Sequence, residues 1–550
     1  MPKRLSPNAS LDKLRNTAKR WLKALRAGDA TARARLLAAY PKAPAEPVLR
    51  DVQHALAREY GAADWSALKA AVADLALGRL GRAEQVEIVL RHCWQGDRTA
   101  ALRLAARNPG LARENIYTAV AFGDLAEVDR LLREDPALVN TKGGPLGWEP
   151  LLYLAYARLP GGDTHSLAIA ERLLDRGADP KAWFDDGWKN PFTALCGIIG
   201  LGEGDKATHP RAREFAALLF ARGADPYDTQ ALYNTSITRD ETGWNELLWS
   251  ECERQGVTQK WRDQPYGGRF MMSMLDYLLG NAVAYNHLKR AEWLLQHGAN
   301  AAGIHSYSGR PLREEALVYG HGAMAALLER HGAPAVPLQG QAAFEAACML
   351  LDRDTAAALA RAHSECLGNA APMIAAARKN RADVVALLLD LGMSPDVMDA
   401  DELRGIQAAI QGNAPTVVKL LAERGADIDR PTKGVGGGAL GFAAHFGHRD
   451  IAEILASRSR DAIHLAYLAL ADRLRELLAA EPKLANAPDP RYGIRPLFCL
   501  PDDEAQAADM AALLLAHGAD PRLTSKEGET AEQVARKRGL DEAAELLRRT

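Results

Sequence analysis

The chain has 550 residues, 68 Lys plus Arg against 70 Asp plus Glu, and a formal charge of −2. That length exceeds one ordinary domain, so the chain is either several domains or a structure that grows by repetition. The balance of charge argues against a dedicated nucleic-acid binder, and 48% apolar with 25% charged residues argues against wholesale disorder.

No window approaches 18 uninterrupted apolar residues, and the basic start MPKRLSPNASLDKL has no apolar stretch behind it. The expectation is a soluble, cytoplasmic protein with no membrane or nucleic-acid partner. Cys93, Cys196, Cys252, Cys348, Cys366 and Cys499 are scattered, with no spacing of a metal knuckle or redox pair. They read as reduced, mostly buried small hydrophobes. Neither a metal nor a cofactor is expected.

Residues 1–80 are helical by pattern. The segment 11–25 is basic on one side. Val48, Val52 and Leu56, then Trp65, Leu68, Val72 and Leu75, recur at three-to-four spacing. Trp65 and Leu68 read as interface residues of a cap that covers the open edge of the first repeat.

Farther along, one phrase recurs: LLDRGADP (173–180), LLFARGADP (218–226), LLQHGAN (294–300), LLERHGAP (327–334), LLLDLGMSP (387–395), LLAERGADI (420–428) and LLLAHGADP (513–521). The glycines step by 46, 75, 34, 60, 33 and 93 residues, multiples of a period near 33 with one insertion and several decayed copies. The leucine pair ends a helix, the glycine accepts the left-handed conformation that closes it, and Ala-Asp-Pro turns the chain away. A second short helix precedes each phrase. One such pair cannot bury its own apolar face, so neighbours are required.

The phrase, the period and the turns in YGHGAMAALL (319–328), RKNRADVVALLL (378–389), QGNAPTVVKLL (411–421) and HFGHRDIAEIL (445–455) resemble the ankyrin repeat. The Thr-Pro-Leu-His opening of that family is nowhere intact, which blurs individual boundaries. The resemblance covers residues 86–547. It implies an all-α solenoid of antiparallel helix pairs, about 13 of them, with finger-like loops and a concave binding face. The expected organisation is a helical N-terminal cap at 1–80 and the solenoid at 81–550, closed by the charged helices of 529–550.

The chain departs from the repeat between residues 143 and 269. Six of its ten tryptophans lie there. Trp148 and Glu149 precede one helix; Trp183, Asp185, Asp186 and Trp188 share a long loop; Tyr227, Tyr233 and Asn234 come in the next repeat. Stacked loops of adjacent repeats lie side by side, so these residues are expected to share one binding surface, with rigid rings for contact and carboxylates for direction. Adjacent Asp185 and Asp186 cannot face one another, so a carboxylate pair for general acid–base work would have to form across loops, for instance Glu149 with Asp186. The insertion 199–213 (IGLGEGDKATHPRAR) adds a long loop nearby.

The remaining motifs are weak. His445 and His448 lack a third ligand. TKGVGGG (432–438) lacks the residue order of a phosphate loop. The function implied by the resemblance is a scaffold that recognises a protein partner through its repeat loops and concave face. The alternative, from the aromatic and acidic loops at 143–269, is a protein acting on a small molecule or carbohydrate, including a hydrolase or other enzyme.

Overall fold

The computed structural model describes every residue except 1, 2, 7, 8, 188, 189, 203, 205, 268, 432–436, 491 and 550. It is predominantly α-helical. Its described strands form two antiparallel two-stranded hairpins, Trp183–Asp185 with Pro191–Thr193 and Pro265–Tyr266 with Met272–Ser273. No helix among the described residues is long and apolar enough to cross a membrane. The chain divides into two compact units, one of residues 70–316 with 321–336, the other of 1–69, 317–320 and 337–550.

In the unit of 70–316, short helices alternate with longer ones. The first helices of successive pairs, Ile116–Phe122, Pro150–Tyr156, Ala194–Ile199, Thr229–Ser236 and the longer Met274–Ala284, pack on one another in turn. Every residue of Pro150–Tyr156 and Ala194–Ile199 is buried, which is why these segments read as continuous apolar runs rather than as stripes. The companion helix ends with the glycine phrase. At 173–178 the Gly177 N–H donates to the Leu174 carbonyl and the Ala178 N–H to the Leu173 carbonyl, with Gly177 at φ +92°. The glycines at 223, 298, 425 and 518 are likewise left-handed.

The unit containing 337–550 repeats the pattern. Ala371–Arg378, Gly405–Gln411, Ala439–Phe446 and Ala462–Tyr467 stack in succession. Phe344, Met373, Ile406, Phe442, Leu465 and Leu514 belong to one continuous apolar core.

The N-terminal helices differ from expectation in what they cover. Leu11–Arg26, Ala30–Ala39 and Leu49–Glu59 pack together, with the Trp21 indole N–H donating to the Ala32 carbonyl at 3.0 Å and Arg35 forming a bidentate pair with Glu59 at 2.6 and 2.7 Å. They belong with the end of the chain, not with its first repeats. Lys19 reaches Glu504 at 2.8 Å and Asp541 at 3.0 Å, and Arg26 pairs with Glu542. Charge and packing act together: the basic side of the first helix meets the acidic first turns of Glu504–Ala516 and Asp541–Arg549, and Leu49–Glu59 packs on Glu504–Ala516. The helix Trp65–Leu77 instead turns Asp74 toward Arg107, at 2.6 Å.

Candidate functional site

The loops after the helices of 82–316 enclose one large cleft of about 820 Å³. Its floor begins with an aromatic cluster. The strand Trp183–Asp185 alternates sides, so Phe184 turns inward and stacks on Trp148 at 4.1 Å between centroids, while Trp183 and Asp185 face outward. Trp94 meets Phe184 and Phe192 edge-on at 4.9 and 4.8 Å, and Tyr156 closes the group. The Tyr156 hydroxyl donates to the Thr193 carbonyl at 3.0 Å and burial pushes its pKa well up, so it stays a neutral anchor.

One wall is the loop C-terminal to Ala194–Ile199. It folds back through paired backbone bonds between Leu201 and Lys206, with Gly200 at φ +68°. Asn234 fixes it from the next repeat: its amide donates to the Gly200 carbonyl at 3.1 Å and to the Cys196 sulfur at 3.3 Å, its Oδ1 accepts from Gln230, and its backbone carbonyl accepts from Gly202. The loop carries Lys206 into place with its Nζ 3.4 Å from the Trp94 ring centroid. Arg158 and Arg98 line the same end. The opposite end is built of tyrosines, with the Tyr277 hydroxyl 3.0 Å from that of Tyr307 and Tyr266 edge-on to Tyr277 at 4.7 Å.

His92 and Cys93 also line the cleft but are held out of ionic chemistry. The His92 Nδ1 bonds the Val89 carbonyl, its Nε2 accepts the Arg158 backbone N–H at 3.2 Å, and burial lowers its pKa. Burial pushes the Cys93 thiol up to about 12, which leaves it an inert thiol at neutral pH.

The residues singled out from sequence fall in several places. Asp186, Tyr233 and Asn234 line the cleft. Trp148, at 4% exposure, is part of the packed cluster beneath it, and Trp183, at 50%, lies on the outer face of its hairpin. Those two rings do not share an exposed surface, because only one of them is at the surface. Asp185 is on the outer face with Trp183 and receives the Gly187 N–H. Glu149 sits before Pro150–Tyr156, 3.4 Å from Lys142, and is not in the lining that Asp186 joins. Tyr227 is buried edge-on to Trp261 and lines a separate hollow of about 150 Å³ with Asp228. Trp188 and most of the glycine-rich stretch 432–438 lie outside the described residues.

Sequence reasoning missed Trp94, Arg98, Arg158, Tyr277 and Tyr307. They are spread over several repeats, and none is part of a local motif. The insertion at 199–213 was the available signal, since Lys206 lies in it. Among the described residues, no three His, Cys, Asp or Glu side chains gather to hold a metal ion.

Residues 372–466 match the family model for ankyrin repeats, in three copies. Among solved structures, an ankyrin repeat domain from Acinetobacter baumannii AYE is 24% identical, with a TM-score of 0.26 over 32% of this chain and 95% of that one. The ankyrin repeat protein EF0377 is 20% identical, with a TM-score of 0.26 over 33% of this chain and 98% of its own. No curated protein matches the sequence. The chain therefore carries ankyrin repeats, in the segment 372–466; the cleft lies outside that segment.

Proposed function

We propose that this chain is a cytoplasmic protein-interaction module whose fingers at 183–310 seat a partner, in the cleft and on an apolar ledge beside it. The observation that carries this reading is the continuity of the two. Tyr307 lines the cleft and is 53% exposed. Beside it, the Arg269 and Phe270 N–H groups donate to the Ser306 carbonyl at 2.9 and 3.1 Å, bringing exposed Phe270 and Met271 next to Tyr307, with exposed Ile304 close by in sequence. Met271 is 67% exposed and the Phe270 ring lies beside Gly309, and exposed apolar side chains gathered at the mouth of a cleft are the usual mark of a partner surface. The ankyrin repeats of the chain favour the same class of function, although fold alone does not set it. It is the loops, more than the concave face, that supply the supporting observations.

A second reading, a small molecule or sugar held in the cleft, is favoured by its volume, which suits a bound ligand of drug size. Selection of peptides from a random library on the intact chain separates the two. The partner reading expects a consensus that combines acidic and apolar residues, with binding at least tenfold weaker to a Met271→Ser, Tyr307→Ser variant of unchanged unfolding temperature. Peptides without a consensus, or binding indifferent to that variant, sinks it. Retention on a glycan array that Tyr233→Ala abolishes would instead support the second reading.

A further inference from the structure

The end of the cleft at Arg98, Arg158 and Lys206 concentrates positive charge that the described residues do not compensate. Arg158 is half-buried, and four carbonyls take its guanidinium protons: Ala207 at 3.0 Å, Ala155 at 2.9 Å, Ala157 at 2.8 Å and Gly197 at 2.7 Å. Those bonds fix its plane but bring no negative charge. Lys206 is held over the Trp94 ring. Among the described residues none of the three cations makes an ion pair, and Asp186, the one carboxylate in the described lining, takes the Asn190 amide at 3.4 Å. Arg158 lies between the other two in effect: its Nε bonds the carbonyl of Ala207, next to Lys206, burial and the charge of Arg98 pull it down to about 10, and burial with its own charge pulls Lys206 down. His92, with both ring nitrogens engaged, adds no charge.

We propose that this end of the cleft is a binding site for a doubly charged phosphoryl group. Mutual repulsion between three cations is relieved most by a dianion; a single carboxylate leaves two charges uncompensated. The guanidinium fork of Arg98 and the compact ammonium of Lys206 are the donors that suit phosphate oxygens, while Arg158, with four of its five N–H groups on carbonyls, contributes its fixed charge and one remaining N–H. The tyrosines at the other end of the same cleft then face whatever the phosphoryl group is attached to. The inference rests on the partner reading for its choice of cleft and names the chemistry that the cleft recognises.

The test is titration calorimetry of the intact chain with inorganic phosphate, phenyl phosphate and benzoate at constant ionic strength. Saturable phosphate binding is expected, with phenyl phosphate at least tenfold tighter than benzoate, and with Arg98→Ala and Lys206→Ala each weakening it at least tenfold without lowering the unfolding temperature. The unfolding temperature of each variant checks that it folds, and Arg98→Ala, at an exposed position on the first turn of its helix, is the variant that leaves the packing of the cleft untouched. Glu203 and Asp205, close to Lys206 in sequence, lie outside the described residues. No saturable binding, equal binding of benzoate, or indifference to both variants overturns the proposal. Inorganic phosphate as tight as phenyl phosphate identifies free phosphate as the source; a clear preference for phenyl phosphate identifies a phosphorylated side chain. Because no partner is present, failure here leaves the partner reading standing. Loss of library peptides with phosphate binding intact removes that reading and leaves the site.

Discussion

The Trp148 indole and the Phe184 ring stack with centroids 4.1 Å apart and planes 27° from parallel, joining a finger strand to the start of a buried helix. The contact gives the finger a fixed position over the cleft floor, since Phe184 also stacks on Phe192 and meets Trp94 edge-on. Trp148→Ala is therefore expected to destabilise the fold by about 3–5 kcal/mol through the cavity it leaves. Trp183→Ala, on the outer face of the same hairpin, is expected to change stability by no more than about 0.5 kcal/mol. Urea unfolding of both variants checks this; equal losses would mean that the alternation of the strand does not decide their roles.

The loop that carries Lys206 depends on Gly200 more strictly than the repeat phrases depend on their glycines. A Cβ at Gly200 would lie 2.6 Å from the Lys206 carbonyl and 2.8 Å from that of Ala207, whereas one at Gly177 meets nothing within 4 Å. Gly177→Ala then costs only the left-handed backbone, about 1 kcal/mol. Gly200→Ala adds a clash with backbone that has to move, so about 2 kcal/mol or more is expected, together with displacement of Lys206 from Trp94. Thermal unfolding gives the first difference, and the change in Trp94 fluorescence the second.

The helix pairs were legible because the sequence writes the same phrase several times, and each copy encodes its own helix end. The left-handed glycines at 177, 223, 298, 425 and 518 stand where that phrase put them. The cleft was less legible for a physical reason: its residues come from different repeats and share no local spacing. The concentration of Trp in 143–269 pointed to the right region, but an aromatic residue in a long loop is equally suited to packing and to binding. Trp148 went to packing and Tyr233 to the cleft, and only the alternation of the short strands and the direction of the loops decides between them. The placement of the first three helices on the last repeats was not legible, because it depends on charges about five hundred residues apart in sequence.

Lys19 joins those ends of the chain. Its ammonium lies between Glu504 and Asp541, and the Lys19 and Glu504 side chains are only 16% and 10% exposed. Lys19→Ala leaves Glu504 shielded from water without its cation, with an expected cost of about 1–3 kcal/mol. Arg26→Ala removes a pair in which the arginine is 58% exposed, and less than about 1 kcal/mol is expected. Limited proteolysis of residues 1–60 should accelerate in the Lys19 variant and hardly in the Arg26 variant. The reverse order would show that helix packing alone holds the segment.

Two histidines, His92 in the cleft lining and the buried His209 just after the loop that carries Lys206, set an acid limit on this part of the fold. Burial, with the charge of Arg158, lowers His209 from 6.5 to about 4, and burial lowers His92 as well. Both are acceptors in the folded state: the His209 Nδ1 takes the Arg211 N–H at 3.1 Å and the His92 Nε2 takes the Arg158 N–H. Protonation would set one donor against another. Since the folded pKa lies below the unfolded one, the unfolded chain takes up the proton first as the pH falls. The stability that His209 contributes is therefore level above pH 6.5 and is lost between 6.5 and about 4. The expected loss is about 1–2 kcal/mol for His209 once solvent screening is allowed for. His209→Asn keeps an acceptor but cannot titrate, so its urea midpoint should fall less than wild type over that interval, while the two proteins differ by a constant amount above it. A parallel fall in both would assign the acid sensitivity to other groups.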